Sequence, residues 1–253
     1  MIYRIDGELR LEIPDSIIDG IEEKGLVSEP PFYYFLKKRI NSDLADELSA
    51  MKAILIEIKE RGISKNPTVL EAMAGAGFIT ALILRYLSPK VAVLNDPSEF
   101  CCSILEHNYS VNGYRITNDD ALSIKVDSAL RLDIAVIDFN IFTVRSIKNW
   151  LHPLQEIGKK TDYLIVTDSA CYGFKFGDRN FAAYGIKSRQ EYYYLLLRKL
   201  HEVTGCGVFA VCEFRNASIV ALQTGVEPDA EIKFLDKDAV VIDPEKPRQG
   251  MFF

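Results

Sequence analysis

The chain has little with which to cross-link itself or to bind a metal. Five cysteines are scattered over 253 residues with no CxxC pair, and the three histidines, His107, His152 and His201, stand far apart. An odd set of unpaired thiols argues against a disulfide framework, and no cluster has the spacing of metal ligands. The adjacent Cys101 and Cys102 read as helix core. Without a Gly-x-Ser-x-Gly elbow, the histidines read as structural or surface residues and not as a hydrolytic triad. Long apolar runs are also missing: the stretch from Ile79 to Leu87 is far shorter than the roughly 20 residues that cross a bilayer. The N-terminus has neither the basic start nor the apolar run of a secretory signal, so the expectation is a cytoplasmic protein with no membrane span. Positive charge is not in excess, with 30 Lys and Arg against 36 Asp and Glu and a net charge of -6. No global field therefore draws in a polyanion, and nucleic-acid binding would need a local basic patch or a partner.

What is present is the balance of a globular domain, 48% hydrophobic and 26% charged, in a chain long enough to bury a full core. Alternation from Ile2 to Ile13 about Asp6-Gly7 predicts a short N-terminal hairpin. Leu44, Leu48, Met51, Leu55 and Ile58, spaced by three and four, predict an amphipathic helix over Asp43 to Arg61, closed by Gly62. Strands and helices then alternate. Strands are expected at Thr68 to Glu71, Val91 to Leu94, Ile116, Ile134 to Ile137 and Tyr163 to Val166. Helices are expected at Ile79 to Leu87, Ser98 to Asn112, Val144 to Ile157 and Ser188 to Val203. Strands apolar on both faces, each followed by a helix, mean a parallel sheet covered on both sides. Gly207 to Phe214 and Ser218 to Gln223 predict a closing hairpin, and Glu231 to Phe234 with Ala239 to Ile242 one more small hairpin. The expected architecture is α/β and Rossmann-like, with a mostly parallel seven-stranded sheet, helices on both faces and a short N-terminal hairpin. Residues 1–62 form the hairpin and lead-in helix, 63–225 the main domain and 226–253 a C-terminal extension.

In an open parallel sheet a ligand lies at the carboxyl ends of the strands, where a Gly-rich turn lets it approach the backbone at a helix N-terminus. Glu71-Ala72-Met73-Ala74-Gly75-Ala76-Gly77 sits at that place. Asn95-Asp96, about 20 residues on, supplies a carboxylate that can accept both ribose hydroxyls of an adenosine. Asp119-Asp120-Ala121 follows the third strand, where Asp120 can meet the adenine amino group, or can cap the next helix. Glu71, Ala74, Gly75, Gly77, Asn95, Asp96, Asp120 and Ala121 are thus the expected contacts of S-adenosylmethionine (SAM). NAD is the alternative, and Met73 in place of the first glycine of a dinucleotide motif counts against it.

With those residues in hand, the chain resembles the tRNA (guanine-N2) dimethyltransferase family over roughly residues 31–203. Phe32-Tyr33-Tyr34 and Asn41-Ser42-Asp43-Leu44 are similar to its leading block, and Asn95-Asp96-Pro97-Ser98 with Asn108 and Asn112-Gly113 to its ribose-binding strand and helix. Asp120-Ala121 matches its adenine contact, and Thr167-Asp168-Ser169-Ala170, Tyr184-Gly185, Arg189 and Glu191-Tyr192 resemble a run that methyltransferases in general do not share. The resemblance implies SAM as cofactor, an exocyclic amine as acceptor, and an acceptor site at Asp138-Phe139-Asn140-Ile141-Phe142-Thr143. An amine conjugated to a purine has a delocalised lone pair, so acceptors must hold its protons while nitrogen attacks the methyl group. Asp138 and Asn140 fit that role, and Phe142 or Phe139 can stack on a flipped base. The family's proline is absent from this turn, and its arginines are replaced by Ser42 and Ile79. Its C-terminal tRNA-gripping domain has no counterpart in the 50 or so residues past Val203. Two further readings stay open at this level: a non-catalytic methyltransferase-fold scaffold with a protein partner or as a homodimer, and an enzyme acting on a small molecule instead of tRNA or other RNA.

Overall fold

The computed structural model describes residues 1–7, 9–28, 42–120, 131–139, 147–168, 185, 187–214, 217–227 and 230–244. The expected features at 32–41, 121, 140–146 and 169–184, including Ala121, Asn140 and Phe142, lie outside the described residues.

The chain opens with β1 (Ile2–Ile5) and β2 (Leu9–Glu12), the expected hairpin, followed by α1 (Asp15–Glu23). Helix α2 (Ser42–Glu60) follows, and its inward stripe of Leu48, Met51, Ile54, Leu55 and Ile58 is fully buried. The alternating unit comprises β3 (Thr68–Ala72), α3 (Phe78–Leu87), β4 (Val91–Asn95), α4 (Glu99–Tyr109), β5 (Arg115–Thr117), β6 (Leu132–Phe139), α5 (Ile147–Gly158), β7 (Thr161–Asp168), α6 (Arg189–Thr204), β8 (Cys206–Phe214) and β9 (Ala217–Thr224). Two short strands end it, β10 (Lys233–Leu235) and β11 (Ile242–Pro244). Local signals set the boundaries of α6. The Ser188 hydroxyl accepts from the Glu191 N–H at 3.1 Å, the Glu191 carboxylate accepts from the Lys187 N–H at 2.6 Å, and Gly205 ends the helix in the left-handed conformation, a capping arrangement at one end and a glycine stop at the other.

The large sheet has the order β10-β8-β9-β7-β6-β3-β4-β5, parallel except for β9, which runs antiparallel between β7 and β8. It has eight strands where the sequence predicts seven, because Lys233 to Leu235 adds parallel to β8. The predicted hairpin over Glu231 to Ile242 is not formed: its two halves join different sheets, and β11 pairs antiparallel with β1. Helices α2, α3 and α4 cover one face through Met51, Leu82 and Leu105, and α5 and α6 the other through Leu154, Ile157, Leu196 and Leu200. The three-stranded sheet β11-β1-β2 packs on the first of these faces, burying Ile5, Leu11 and Ile13. Its open edge is closed by Asn108 of α4, whose amide accepts from the Glu12 N–H at 2.8 Å and donates to the Glu12 carbonyl at 2.7 Å. Among the described residues no helix is long and apolar enough to cross a membrane, and no group of three or more His, Cys, Asp or Glu could hold a metal ion.

Strand order reverses at β3: the chain proceeds outward through β4 and β5, then returns to place β6 on the other side of β3. The crevice at this switch point is where an open α/β sheet receives its ligand.

Candidate cofactor and methyl-acceptor site

Residues at the carboxyl ends of β3, β4 and β6 build this crevice. After β3 the chain turns through Met73 to Gly77, and the turn is pinned at three points. The Ala74 N–H donates to the Asn95 carbonyl at 2.9 Å, the Gly77 N–H to the Ala74 carbonyl at 3.0 Å, and the Gly75 N–H to the Asp96 carboxylate at 2.8 Å. A side chain on Gly75 would meet nothing within 4 Å, so open space lies over the turn. Gly77 is the opposite case. It starts α3 at φ 88°, and an added Cβ would stand 2.6 Å from the Tyr109 ring, whose hydroxyl donates to the Gly77 carbonyl at 2.7 Å.

Met73 occupies the position at which glycine would be ordinary, with φ 60°. A left-handed residue with a Cβ costs about 1–2 kcal/mol, against roughly 0.5–1 kcal/mol for the extra chain freedom a glycine loses on folding. Met73 is only half-buried, so little packing is lost on truncation. Met73→Gly is accordingly expected to stabilise the protein by about 0.5 kcal/mol, read as a higher urea midpoint at unchanged slope; a lower midpoint would contradict the account of strain.

Asp96 caps β4 and is nearly buried, one oxygen accepting from Gly75 N–H and the other from Ser98 N–H at 2.9 Å. The Cys101 thiol also hydrogen-bonds to this carboxylate, whose remaining acceptor capacity is available to a ligand hydroxyl. Asn95, expected beside it as a cofactor contact, is fully buried and turned inward. Its amide oxygen accepts from the Thr117 hydroxyl at 2.8 Å and the Asp119 N–H at 3.0 Å, and its NH2 donates to the Asp119 carbonyl at 3.1 Å. Asn95 thereby brackets the loop that carries Asp120, which is exposed.

The site is rich in carboxyls that resist ionisation. Glu71, on β3, is 1% exposed and accepts from the Thr80 hydroxyl at 2.7 Å. Burial, reinforced by Asp138 and Asp96, pushes its pKa up to about 8. Asp138, near the end of β6, accepts a hydrogen bond from the Thr167 hydroxyl on β7 and lies in register with Thr167. Its pKa is raised by burial and then by Asp96, with the Thr167 bond acting in the opposite sense. Asp96 is also raised, mainly by burial. The structure therefore brings Glu71, Ala74, Gly75, Gly77, Asp96 and Asp138 to one crevice and gives Asn95 a supporting place beneath it.

Two contributors were not among the residues singled out in the sequence. Tyr109 locks Gly77 and was visible only as the end of an amphipathic helix. Glu47, on α2, has a carboxyl held well above the usual range by burial and by Asp138; the signal for it is a charged residue on an apolar stripe.

No protein-family model matches the chain, and no curated protein matches it either. Solved structures do. A magnesium protoporphyrin IX methyltransferase from Synechocystis with bound SAM has 10% identity and a TM-score of 0.56, covering 82% of this chain and 97% of that one. A SAM-dependent methyltransferase from Clostridium acetobutylicum has 10% identity and a TM-score of 0.55, covering 77% and 98%. The CcbJ methyltransferase from Streptomyces caelestis has 11% identity and a TM-score of 0.52, covering 70% and 90%. At such identities the likeness is one of fold: the chain has the Rossmann-like fold of these class I methyltransferases, with β10 added to the sheet.

Proposed function

We propose that this protein is a SAM-dependent methyltransferase that acts on an amine nitrogen. One observation carries the reading: Asp96, at the end of β4, is tied to the Gly75 N–H of the turn that follows β3. A ribose-accepting carboxylate and a glycine turn are thereby joined at the switch point of the sheet. The open space over Gly75 supports it, and so does the charge of the site. Glu71, Asp96 and Asp138 are each raised by burial, and a ligand carrying positive charge would favour their ionised forms.

Glu71, Ala74, Gly75, Gly77 and Asp96 would hold the cofactor, with Asp120 and Ala121 toward the adenine. SAM, when bound, supplies a methyl group activated on a sulfonium centre. Asp138 would accept an N–H of the acceptor, fixing the nitrogen so that its lone pair faces the methyl carbon. The motifs in the sequence point to a guanine exocyclic amine in tRNA or another RNA, with Asn140 and Phe142 completing the acceptor site. With a net charge of -6, a protein partner would add the cationic surface that RNA needs.

Calorimetric titration with SAM and S-adenosylhomocysteine (SAH) between pH 6 and 8 tests this. Glu71 titrates near pH 8 against 4.5 for a free glutamate. Being raised in the folded state, it stabilises the ligand-free protein fully below pH 4.5 and progressively less as pH rises toward 8, by roughly 4 kcal/mol at most. Both ligands carry an ammonium group that favours the ionised carboxylate. Affinity for both should therefore rise with pH up to about 8, by at most about tenfold per unit, with proton release at pH 7. Glu71→Gln should flatten the profile. Absence of binding by both ligands at every pH would sink the enzyme reading.

A second reading is favoured by Met73, whose side chain stands where a glycine would let a ligand come closer. On that reading the chain is a non-catalytic scaffold: it binds neither ligand, and Asp138→Ala leaves its partner binding unchanged.

A further inference from the structure

Helix α2 runs antiparallel to the strands, since a short turn from its C-terminus leads into β3, and beyond its last turn Arg61 reaches Gln223 opposite Tyr163 near the start of β7. Its first turns therefore lie at the carboxyl ends, over the crevice. Residues spaced by three, four and seven share one face of a helix, and the inward face of α2 carries Met51, Ile54 and Ile58, all fully buried. Glu47 stands four residues before Met51 and seven before Ile54, on that same stripe, between Leu44 and Leu48, which also pack against the core. On the sheet below, residues 134 and 136 of β6 pack into the core cluster that α2 covers. By the alternation of a strand, Asp138 faces the same way. An acid on a core-facing stripe thus meets an acid on the strand end it covers, and each is disfavoured as an anion by burial, Glu47 also by Asp138. Glu47 has no hydrogen bond or ion pair in the structure among the described residues, so nothing in the resting fold accounts for a carboxyl at this point of the stripe.

We propose that Glu47 is the second proton acceptor of the methyl-acceptor site, forming with Asp138 a carboxyl pair that takes the two N–H groups of a primary amine. This rests on the reading of the protein as an amine methyltransferase. A primary amine presents two protons, and with one held by Asp138 and the other by Glu47 the nitrogen lone pair is left for the methyl carbon. As nitrogen forms its bond to that carbon, the carbon–sulfur bond leaves its electron pair on sulfur and the nitrogen becomes cationic. One N–H proton then passes to an ionised carboxylate of the pair, and the products are a secondary amine, a neutral thioether and a protonated carboxyl. Two carboxyls that oppose each other's ionisation titrate as a pair, one losing its proton before the other. Such a pair retains an acceptor near neutral pH while keeping the acid form of its partner at hand. Among the described residues, the titratable groups acting on it are Glu71 from β3 and Asp96 from the end of β4, with the Thr167 hydroxyl from β7.

Carboxyl-carbon NMR titration of the ligand-free protein, compared with Asp138→Asn, reads the pair directly. The Glu47 resonance should titrate at lower pH in Asp138→Asn, because Asp138 is what raises it beyond burial, and a control at the exposed end of the helix, Glu60→Gln, should leave it in place. Calorimetry in buffers of different ionisation enthalpy adds the cofactor. SAM carries a sulfonium charge that SAH lacks, so SAM should release more protons than SAH at pH 7, and Glu47→Gln should remove the excess. An unshifted Glu47 resonance in Asp138→Asn, with the excess intact in Glu47→Gln, would overturn the pair. Failure of both ligands to bind the wild-type protein would overturn the methyltransferase reading, while the NMR titration would still report on the pair itself. Thermal melting at pH 7 checks folding, and Glu47→Gln should melt at or above wild type because an acid disfavoured as an anion has been removed.

Discussion

Replacing Gly77 with alanine is expected to cost about 3 kcal/mol of folding stability and to remove SAM binding at ordinary ligand concentrations. Two costs act together. At φ 88° an alanine pays about 1–2 kcal/mol for the left-handed backbone. Its methyl group would lie 2.6 Å from the Tyr109 ring and 3.0 Å from Leu105, and overpacking of a well-filled site costs about 1–3 kcal/mol. Tyr109 cannot simply swing aside, because it is buried and its hydroxyl is bonded to the Gly77 carbonyl. A domain has only about 5–15 kcal/mol in hand, so the loss is a large share. The double variant Gly77→Ala/Tyr109→Leu separates the two costs: the packing conflict disappears and the backbone cost stays. A cycle of urea midpoints should give a favourable coupling of about 1–2 kcal/mol; strict additivity would show that Tyr109 is not what excludes the side chain.

Changing Asp96 to alanine is expected to weaken SAM and SAH by the same factor, at least about 100-fold, while leaving the fold intact. A hydrogen bond to a charged acceptor contributes about 1.5–3 kcal/mol, and the carboxylate would lose two such bonds to the ribose diol. Stability changes far less. The Gly75 and Ser98 N–H groups lose their acceptor, but the removal also relieves the repulsion that Asp96 exerts on Glu71 and Asp138. Equal loss for both ligands is the discriminating feature, since the ribose is common to them and the sulfonium is not. If calorimetry finds the SAM affinity of Asp96→Ala within threefold of wild type, the carboxylate is not the ribose acceptor and the site must be redrawn.

The main sheet was legible because its signals are local. The apolar runs at β3, β4, β6 and β7 are buried on both faces and read as parallel strands, and the glycine turn between β3 and α3 has one place to go. The departures come from long-range pairing. Strands β10 and β11 are three residues each, too short to carry a pattern, and their partners lie in β8 and β1, where no neighbouring turn announces them. Asn95 and Asp96 take different surroundings because successive residues at a strand end point to opposite sides: the Asn95 side chain bonds to the β5 loop and Asp96 to the glycine turn. Glu47 was overlooked because its meaning depends on what α2 covers, and helical periodicity gives a face without saying what lies opposite.

The pairing of β1 with β11, which sets Ile5 against Ile242, also fixes an order of events during synthesis. Strand β1 must wait for one made more than 230 residues later. At about 5–20 residues per second that interval is roughly 12–50 seconds. Over that time the edge of β1 that β11 will cover is an unpaired row of backbone donors and acceptors, the kind of edge that recruits foreign strands. A nascent chain stalled short of Ile242 should therefore remain a substrate for chaperones that bind extended segments, even with the eight-stranded sheet already assembled.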